Sequence, residues 1–204
     1  INMDLNIEIQ VLTKIKKAKG GSLFFTEDFL RFGNAKAIAK ALERLVQKDE
    51  ITRVARGVYA RLEVDPLIGP IKPGLENIAK AIAKRDKARI VPTGVMAMHL
   101  LGLSTQIPMN IVYLTDGAAR KVKVGKGSVL FKRTTPKNLA AIGKISSLAI
   151  QALKTIGKDN ITEEEKALII RQLQKEELSR LEHDIRLAPE WIRKILREAL
   201  SKEN

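Results

Sequence analysis

Residues 22–62 read SLFFTEDFLRFGNAKAIAKALERLVQKDEITRVARGVYARL, and the hydrophobic period of this stretch changes once along its length. Its first part predicts a short helix that is capped by Thr26, has acids in its first turn, and ends at Gly33 in the left-handed conformation. Asn34 then caps a second predicted helix. The apolar residues of that helix recur at helical spacing and form one buried stripe: Ala37, Ile38, Ala41, Leu42 and Leu45.

The opposite face of the second predicted helix is basic. Its cationic side chains are Lys36, Lys40, Arg44 and Lys48. After Asp49 the sequence becomes β-prone and alternates around Gly57, which predicts a two-stranded hairpin. This hairpin carries three arginines: Arg53, Arg56 and Arg61. With a first helix over residues 4–19, the order of helix, turn, helix and basic hairpin is that of a winged helix-turn-helix domain.

A winged helix-turn-helix predicts duplex DNA as the partner. We expect Lys36, Lys40 and Arg44 at the major groove or at the phosphates beside it. Asn34, at the start of the same helix, suits a bidentate contact with adenine, although capping competes for its side chain. The three arginines of the hairpin are expected to hold the DNA backbone.

The net charge points in the same direction. It is +14, with a pI near 10.0, and a soluble protein this basic usually binds a polyanion. Most of the excess lies outside the predicted winged helix, since residues 65–160 hold 16 Lys and Arg against 5 Asp and Glu. We expect the basic strands there to extend the DNA footprint or to dock an acidic protein face. The expected contact residues are Arg120, Lys121, Lys123, Lys132 and Arg133.

The chain as a whole is predicted to be α+β. Residues 1–64 form the winged helix, residues 65–74 a proline-rich linker, and residues 75–204 a basic α+β domain with a small antiparallel sheet and C-terminal helices. Thr162 and Glu165 form a capping-box pattern that opens a long helix over residues 162–182. Pro189 begins the final helix, which contains Trp191.

Several classes of function are disfavoured by composition. Cysteine is absent, which excludes disulfides and thiolate metal sites and fits a cytoplasmic location. No stretch of about 18 apolar residues is present, so no membrane span is expected. Asp116 is the only acid between Lys87 and Lys158, too few for a metal-dependent nuclease unless Glu76 or Asp86 joins it. Of the two histidines, His99 suits packing or capping, and His183 suits a solvated position. We therefore expect no enzyme activity, no metal and no cofactor.

Three strings in the chain resemble the AbiEi-type antitoxins of type IV, or abortive-infection, toxin–antitoxin systems. They are ALERLVQKDEITRVARGVYAR (41–61), PTGVMAMHLLGLSTQIPMNIVYLTDG (92–117) and LFKRTTPKNLA (130–140), and the second is the most specific. The resemblance implies a winged helix that binds inverted repeats upstream of its own operon and represses it, with two copies on the DNA. It also implies a C-terminal domain that counters a nucleotidyltransferase-like toxin. One departure is that Lys48-Asp49-Glu50 stands where a glycine often precedes the wing.

Three alternatives stay open at this point. In the first, the winged helix is a protein-docking module without specific DNA binding. In the second, the basic middle is a nuclease-like domain that processes nucleic acid. In the third, the chain binds RNA. Aromatic residues make up only 4% of the chain, which disfavours recognition of single strands by stacking.

Overall fold

A computed structural model describes residues 3–201 of the chain. Residues 1, 2 and 202–204, at the outer ends of the two predicted domains, lie outside the described residues. The fold is mixed α+β, and its contacts form two compact units. One unit runs to Ile82 and includes Val122–Gly127; the other comprises Ala83–Lys121 and the residues from Ser128 onward. None of the described helices is both long enough and apolar enough to cross a membrane.

The helices and strands are numbered in chain order. The α-helices α1 to α8 are Met3–Lys17, Ala35–Gln47, Leu75–Arg85, Val95–Leu100, Lys144–Ile156, Glu163–Leu173, Leu178–Ile185 and Glu190–Glu198. The strands β1 to β9 are Leu23–Phe24, Thr52–Ala55, Val58–Ala60, Glu63–Asp65, Gly69–Ile71, Ile90–Thr93, Asn110–Thr115, Arg120–Val124 and Gly127–Arg133. Two 3₁₀ helices cover Thr26–Phe32 and Pro136–Leu139.

The first unit packs α1, the first 3₁₀ helix and α2 around one apolar core, beside a three-stranded sheet in the order β1-β3-β2. The predicted stripe of α2 supplies much of that core, since Ile38, Leu42 and Leu45 are fully buried. Burying such side chains contributes roughly 1.5–3 kcal/mol each. The hairpin was predicted with two strands; β1 adds a third by pairing with β3, with Leu23 opposite Ala60.

The short helix before α2 differs from its prediction at both ends. Thr26 is the first residue of this 3₁₀ helix and not its cap; the carboxylate of Asp28 instead accepts a hydrogen bond from the backbone N–H of Phe25 at 2.7 Å. Gly33 is extended, with φ 171°, and not left-handed. A Cβ at Gly33 would lie 2.9 Å from Cδ1 of Ile7. Gly33 therefore allows close approach to α1 and does not form a left-handed helix-ending turn.

The turn that precedes the hairpin is built with an aspartate. Asp49 adopts φ 56°, a left-handed conformation that Asp tolerates better than most residues other than glycine. The turn therefore forms although Lys48-Asp49-Glu50 contains no glycine. Residues 63–71, mostly within the stretch that was predicted as a linker, form a hairpin in which β4 pairs with β5 and Val64 lies opposite Pro70.

A four-stranded sheet has the order β6-β7-β9-β8, and its strands β6 and β7 lie wholly in the second unit. β6 and β7 pair antiparallel, as expected, but β7 and β9 are parallel, with Tyr113 opposite Phe131. The sheet is therefore mixed, which differs at this pair from the antiparallel prediction. The reason is the strand order. β8 lies at the edge of the sheet and pairs with β9, so β7 and β8 are not neighbours although they are consecutive in the chain. β9 then returns between them and runs in the direction of β7.

Five helices, α4 to α8, share the larger apolar core of the second unit. The predicted helix over residues 162–182 is in fact two helices, α6 and α7, separated by residues 174–177. The interruption allows Glu176 to turn back, so that its Oε2 accepts a hydrogen bond from the backbone N–H of Ile145 at 2.6 Å. The capping box of Thr162 and Glu165 at the start of α6 is confirmed.

Candidate nucleic-acid interface

The exposed face of α2 is the centre of the candidate interface. Lys36 and Lys40 are exposed one turn apart, on the side opposite the buried Ile38 and Leu42. Ala39 is also exposed between them. The face therefore presents two cations and a small residue, which lets backbone and base edges approach closely.

Asn34 caps α2, as predicted. Its Oδ1 accepts a hydrogen bond from the backbone N–H of Ala37 at 2.9 Å. The amide oxygen is thus used within the helix, while the exposed amide group still carries an N–H donor. Because its oxygen is engaged in the cap, Asn34 suits a single donated hydrogen bond better than the bidentate contact with adenine that was expected.

Two polar residues on the same face were missed in the sequence. Glu43 and Gln47 are exposed and follow Lys36 and Lys40 at helical spacing. The positions 36, 40, 43 and 47 form one continuous stripe. The helical periodicity that predicted the buried stripe of α2 also identifies Glu43 and Gln47, because it places every residue of the helix on either the buried or the exposed face.

Arg44 lies at the border of the candidate interface. Its Nη1 is 4.0 Å from Oε2 of Glu8, a residue of α1 that is only 6% exposed. Lys48 forms an ion pair with the other carboxylate oxygen of Glu8. A buried carboxylate needs such cations, because an unpaired charge there is costly. Both residues therefore fasten α2 to α1.

The hairpin of β2 and β3 exposes two arginines. Arg53 lies on β2 opposite Tyr59, and Arg56 lies in the two-residue turn that joins the strands. The next residue of the turn, Gly57, has φ 72°, a conformation that favours glycine. The turn thus presents the Arg56 side chain to solvent at the tip of the hairpin.

Arg61, the third predicted arginine of the wing, lies outside the hairpin and is engaged elsewhere. β3 ends at Ala60. Nη1 of Arg61 donates to the carbonyl oxygen of Lys16 at 2.6 Å and also to that of Ala18, at the end of α1. Helices end with unpaired carbonyl groups that cations stabilise. In this structure Arg61 is therefore a cap for α1.

In the second unit, the predicted basic residues divide into one that is paired and three that are exposed. Arg120 forms an ion pair with Asp86 and lies over the ring of Phe131, with 5.5 Å between Cζ and the ring centroid. Lys121, Lys132 and Arg133 are exposed. Lys123 is exposed as well, within Val122–Gly127 of the first unit.

Asp86 and Asp116, two acids of the basic middle, form ion pairs with arginines. Oδ1 and Oδ2 of Asp116 each accept a hydrogen bond from Arg89, from its backbone N–H and from its Nε, both at 2.8 Å. These two bonds hold the pKa of Asp116 below its ordinary value. Burial raises the pKa of Asp86, but hydrogen bonds from Arg85 and Arg120 outweigh it, so that pKa is also lowered.

The two histidines have structural contacts. Nδ1 of His99 lies 3.1 Å from the carbonyl oxygen of Ser104, which follows α4 in the chain. His183 is half exposed, and its Nδ1 is 2.8 Å from Oδ1 of the buried Asp184. Among the side chains of residues 6–201, no three of the types His, Asp or Glu are grouped closely enough to hold a metal ion.

Comparison with known proteins identifies a family and a similar solved structure. The model of a family described as "Family of unknown function (DUF6088)" matches residues 10–181. No curated protein matches the sequence. The crystal structure of the Rv2827c protein from Mycobacterium tuberculosis is similar over 97% of this chain and 82% of that chain, with 11% sequence identity and a TM-score of 0.42.

Proposed function

Given that the chain belongs to the DUF6088 family, whose function is unknown, we propose that it is a winged-helix transcriptional repressor that also serves as an antitoxin. The proposal has two parts with different support. DNA binding is supported by the geometry of the first unit. Repression of its own operon and neutralisation of a toxin are supported by the sequence resemblance to the AbiEi-type antitoxins.

The single observation that carries the DNA-binding part is the exposed polar stripe of α2 beside a hairpin that ends in Arg56. A helix fits the major groove, and side chains four residues apart on it reach successive base edges. Arginines on a neighbouring hairpin suit contacts with backbone phosphates. In this proposal α2 is the recognition helix and the hairpin is the wing.

The residues of the proposed interface have different roles. Lys36 and Lys40 contact guanine edges or the flanking phosphates, and Asn34 donates one hydrogen bond near the start of the helix. Glu43 accepts from a cytosine amino group, the base contact available to an acid on such a face. Arg53 and Arg56 hold the backbone. Arg44 and Arg61 have no place in this interface, because their guanidinium groups serve Glu8 and the end of α1.

The exposed cations of the second unit provide a second source of affinity. Lys121, Lys132 and Arg133 contact further phosphates or an acidic face of the toxin. The resemblance supplies the nature of that toxin, a nucleotidyltransferase-like protein, and of the operator, an inverted repeat occupied by two copies. A repressor of this kind acts in the cytoplasm and needs no cofactor and no catalytic residue.

A pair of matched substitutions tests the roles. Arg56→Ala removes a phosphate contact and is expected to weaken binding to operator and shuffled duplexes by the same factor. Lys40→Ala is expected to weaken operator binding more than shuffled-duplex binding. Lys17→Ala makes the same charge change on an exposed residue of α1 and serves as the control. Equal effects of all three variants would show that binding is a general charge effect, and would refute α2 as the recognition helix.

The antitoxin part is tested separately. Co-expression of this chain with a nucleotidyltransferase-like protein encoded next to its gene is expected to restore growth that the toxin alone arrests. Continued arrest at equal expression, with DNA binding intact, would leave a repressor without antitoxin activity.

A further inference from the structure

A small cavity in the second unit is lined mostly by hydrogen-bond donors and cations. It lies between the second 3₁₀ helix, Pro136–Leu139, and the helix α5, and its volume is about 20 Å³. Among its lining residues are Lys137, Asn138, Ser147, Gln151, Lys154 and Leu187. A cavity of this size admits a water-sized group, such as one oxygen of a larger ligand.

The spacing of the sequence brings the polar residues together. Ser147, Gln151 and Lys154 follow one another at helical intervals of four and three, so they share one face of α5. Lys137 and Asn138 face them from the 3₁₀ helix, within the string LFKRTTPKNLA. Nδ2 of Asn138 donates to Oγ1 of Thr134 at 2.8 Å, which fixes this side of the cavity.

Gln151 is the most informative residue of the cavity. It is only 5% exposed, and its side-chain amide forms no hydrogen bond with another residue in the part of the chain whose side chains the structure describes, residues 6–201. The amide opens onto the cavity, because it is not among the fully buried side-chain polar atoms that lack a partner in the described part of the chain. Proteins keep such groups where a ligand or an ordered water completes them.

The charges around the cavity are also incomplete. No carboxylate in the described part of the chain forms an ion pair with Lys137 or Lys154. Lys154 is exposed as a residue, but partial burial of its ammonium group and the charge of Lys137 lower its pKa. The ammonium groups of Lys137 and Lys154 therefore repel each other, and the side-chain amide of Gln151 lies beside them.

The nearby acids on α7 and before it are already engaged at the start of α5. Asp184 accepts from the backbone N–H groups of Ile142 and Gly143, at 2.9 and 2.8 Å. Glu176 accepts from those of Ile145 and Ser146. These carboxylates cap the helix and leave the two lysines without an internal counter-ion.

We propose that this cavity is a binding site for an oxyanion, of which one terminal phosphate oxygen enters between Lys137, Gln151 and Lys154. The amide of Gln151 and the hydroxyl of Ser147 donate to that oxygen, and the two ammonium groups neutralise its charge. The phosphate belongs either to a small phosphorylated molecule or to a nucleic-acid backbone. The site lies wholly in the second unit, so the inference does not rest on the winged helix or on repression.

Phosphate titration of the full chain, followed by NMR, tests the site. The side-chain N–H₂ signal of Gln151, assigned by its loss in Gln151→Leu, is expected to shift and saturate with inorganic phosphate. Lys154→Met and Lys137→Met are each expected to weaken this binding at least about tenfold. Lys144→Met removes the same charge from an exposed position of the same helix and is expected to leave the binding unchanged.

A second titration identifies the source of the phosphate. If a short duplex of unrelated sequence moves the Gln151 signal and Lys154→Met reduces its effect, the ligand is a nucleic-acid backbone. If inorganic phosphate moves the signal and the duplex does not, the ligand is a small phosphorylated molecule. If phosphate leaves the Gln151 signal unmoved, or if Lys144→Met weakens binding as much as Lys154→Met, the proposed site is refuted.

Discussion

Nη1 of Arg61 donates a hydrogen bond to the carbonyl oxygen of Lys16 at 2.6 Å. The two residues are separated by 45 positions in the sequence, and the bond joins the segment after β3 to the end of α1. The arginine also serves Ala18, so a guanidinium group that sequence pattern assigns to the wing stabilises the fold of the first unit instead.

We predict that Arg61→Ala lowers the free energy of unfolding by about 1.5–3 kcal/mol, the usual range for hydrogen bonds to a charged group. Arg56, at the exposed tip of the hairpin, forms no such hydrogen bond with the other residues that the structure describes, so Arg56→Ala is expected to change that free energy by less than about 0.5 kcal/mol. Urea denaturation of the two variants measures both values. If Arg61→Ala lost DNA affinity while its stability stayed unchanged, this arginine would be a DNA contact of the wing and its role as a cap for α1 would be wrong.

Asp184 gives a prediction for the second unit. It is fully buried and accepts from two backbone N–H groups at the start of α5 and from the hydroxyl of Ser146. Asp184→Ala leaves these donors without a partner, so we expect a loss of about 3 kcal/mol or more. Trp191, the only tryptophan, packs against the same core, and its fluorescence reports the unfolding. Wild-type stability in this variant would show that solvent replaces the carboxylate without cost.

The ion pair of Asp86 with Arg120 predicts a pH dependence. Hydrogen bonds from Arg85 and Arg120 outweigh burial and hold the pKa of Asp86 below its ordinary value of 3.8. A carboxyl group with a lowered folded-state pKa stabilises the protein above its unfolded-state pKa, and this contribution is lost as the pH falls through the folded-state pKa. The stability difference between wild type and Asp86→Asn is therefore expected to be constant above about pH 5 and to shrink below pH 3.8. A difference that does not change down to pH 3 would contradict the lowered pKa.

Glu43 separates base reading from general attraction. On the proposed recognition face it opposes phosphate and gains only from a cytosine amino group. Glu43→Gln is thus expected to raise affinity for shuffled duplex and to lower the ratio of specific to non-specific binding. Glu27→Gln, an exposed acid in the 3₁₀ helix, is the matched control. An unchanged ratio in Glu43→Gln would place Glu43 away from the bases.

Local patterns predicted most of the secondary structure. The apolar stripe of α2, the cap at Asn34 and the capping box at Thr162 depend on residues three or four positions apart, and the structure confirms each. Residues 120–124, RKVKV, alternate in the same local way and form β8. Such features need no knowledge of distant parts of the chain, because propensity and periodicity act within one or two turns.

Features that depend on distant residues were not predicted. The role of Arg61 needs the end of α1 nearby, and the interruption between α6 and α7 reflects the contact of Glu176 with Ile145, 31 positions away. The parallel pairing of β7 with β9 is a property of topology, which strand patterns alone do not contain. The exposed Glu43 and Gln47 are different, since the helical period of α2 was sufficient to find them.

Binding of the purified chain to the DNA upstream of its own gene, compared with a shuffled duplex over a range of salt concentrations, tests the central claim most directly. Fluorescence anisotropy is expected to show tighter binding to the upstream duplex, in two steps if an inverted repeat takes two copies. The affinity is expected to fall steeply with salt on both duplexes, because phosphate contacts release counter-ions. Equal affinity for the two duplexes at every salt concentration, or no binding at moderate salt, would contradict the proposed repressor.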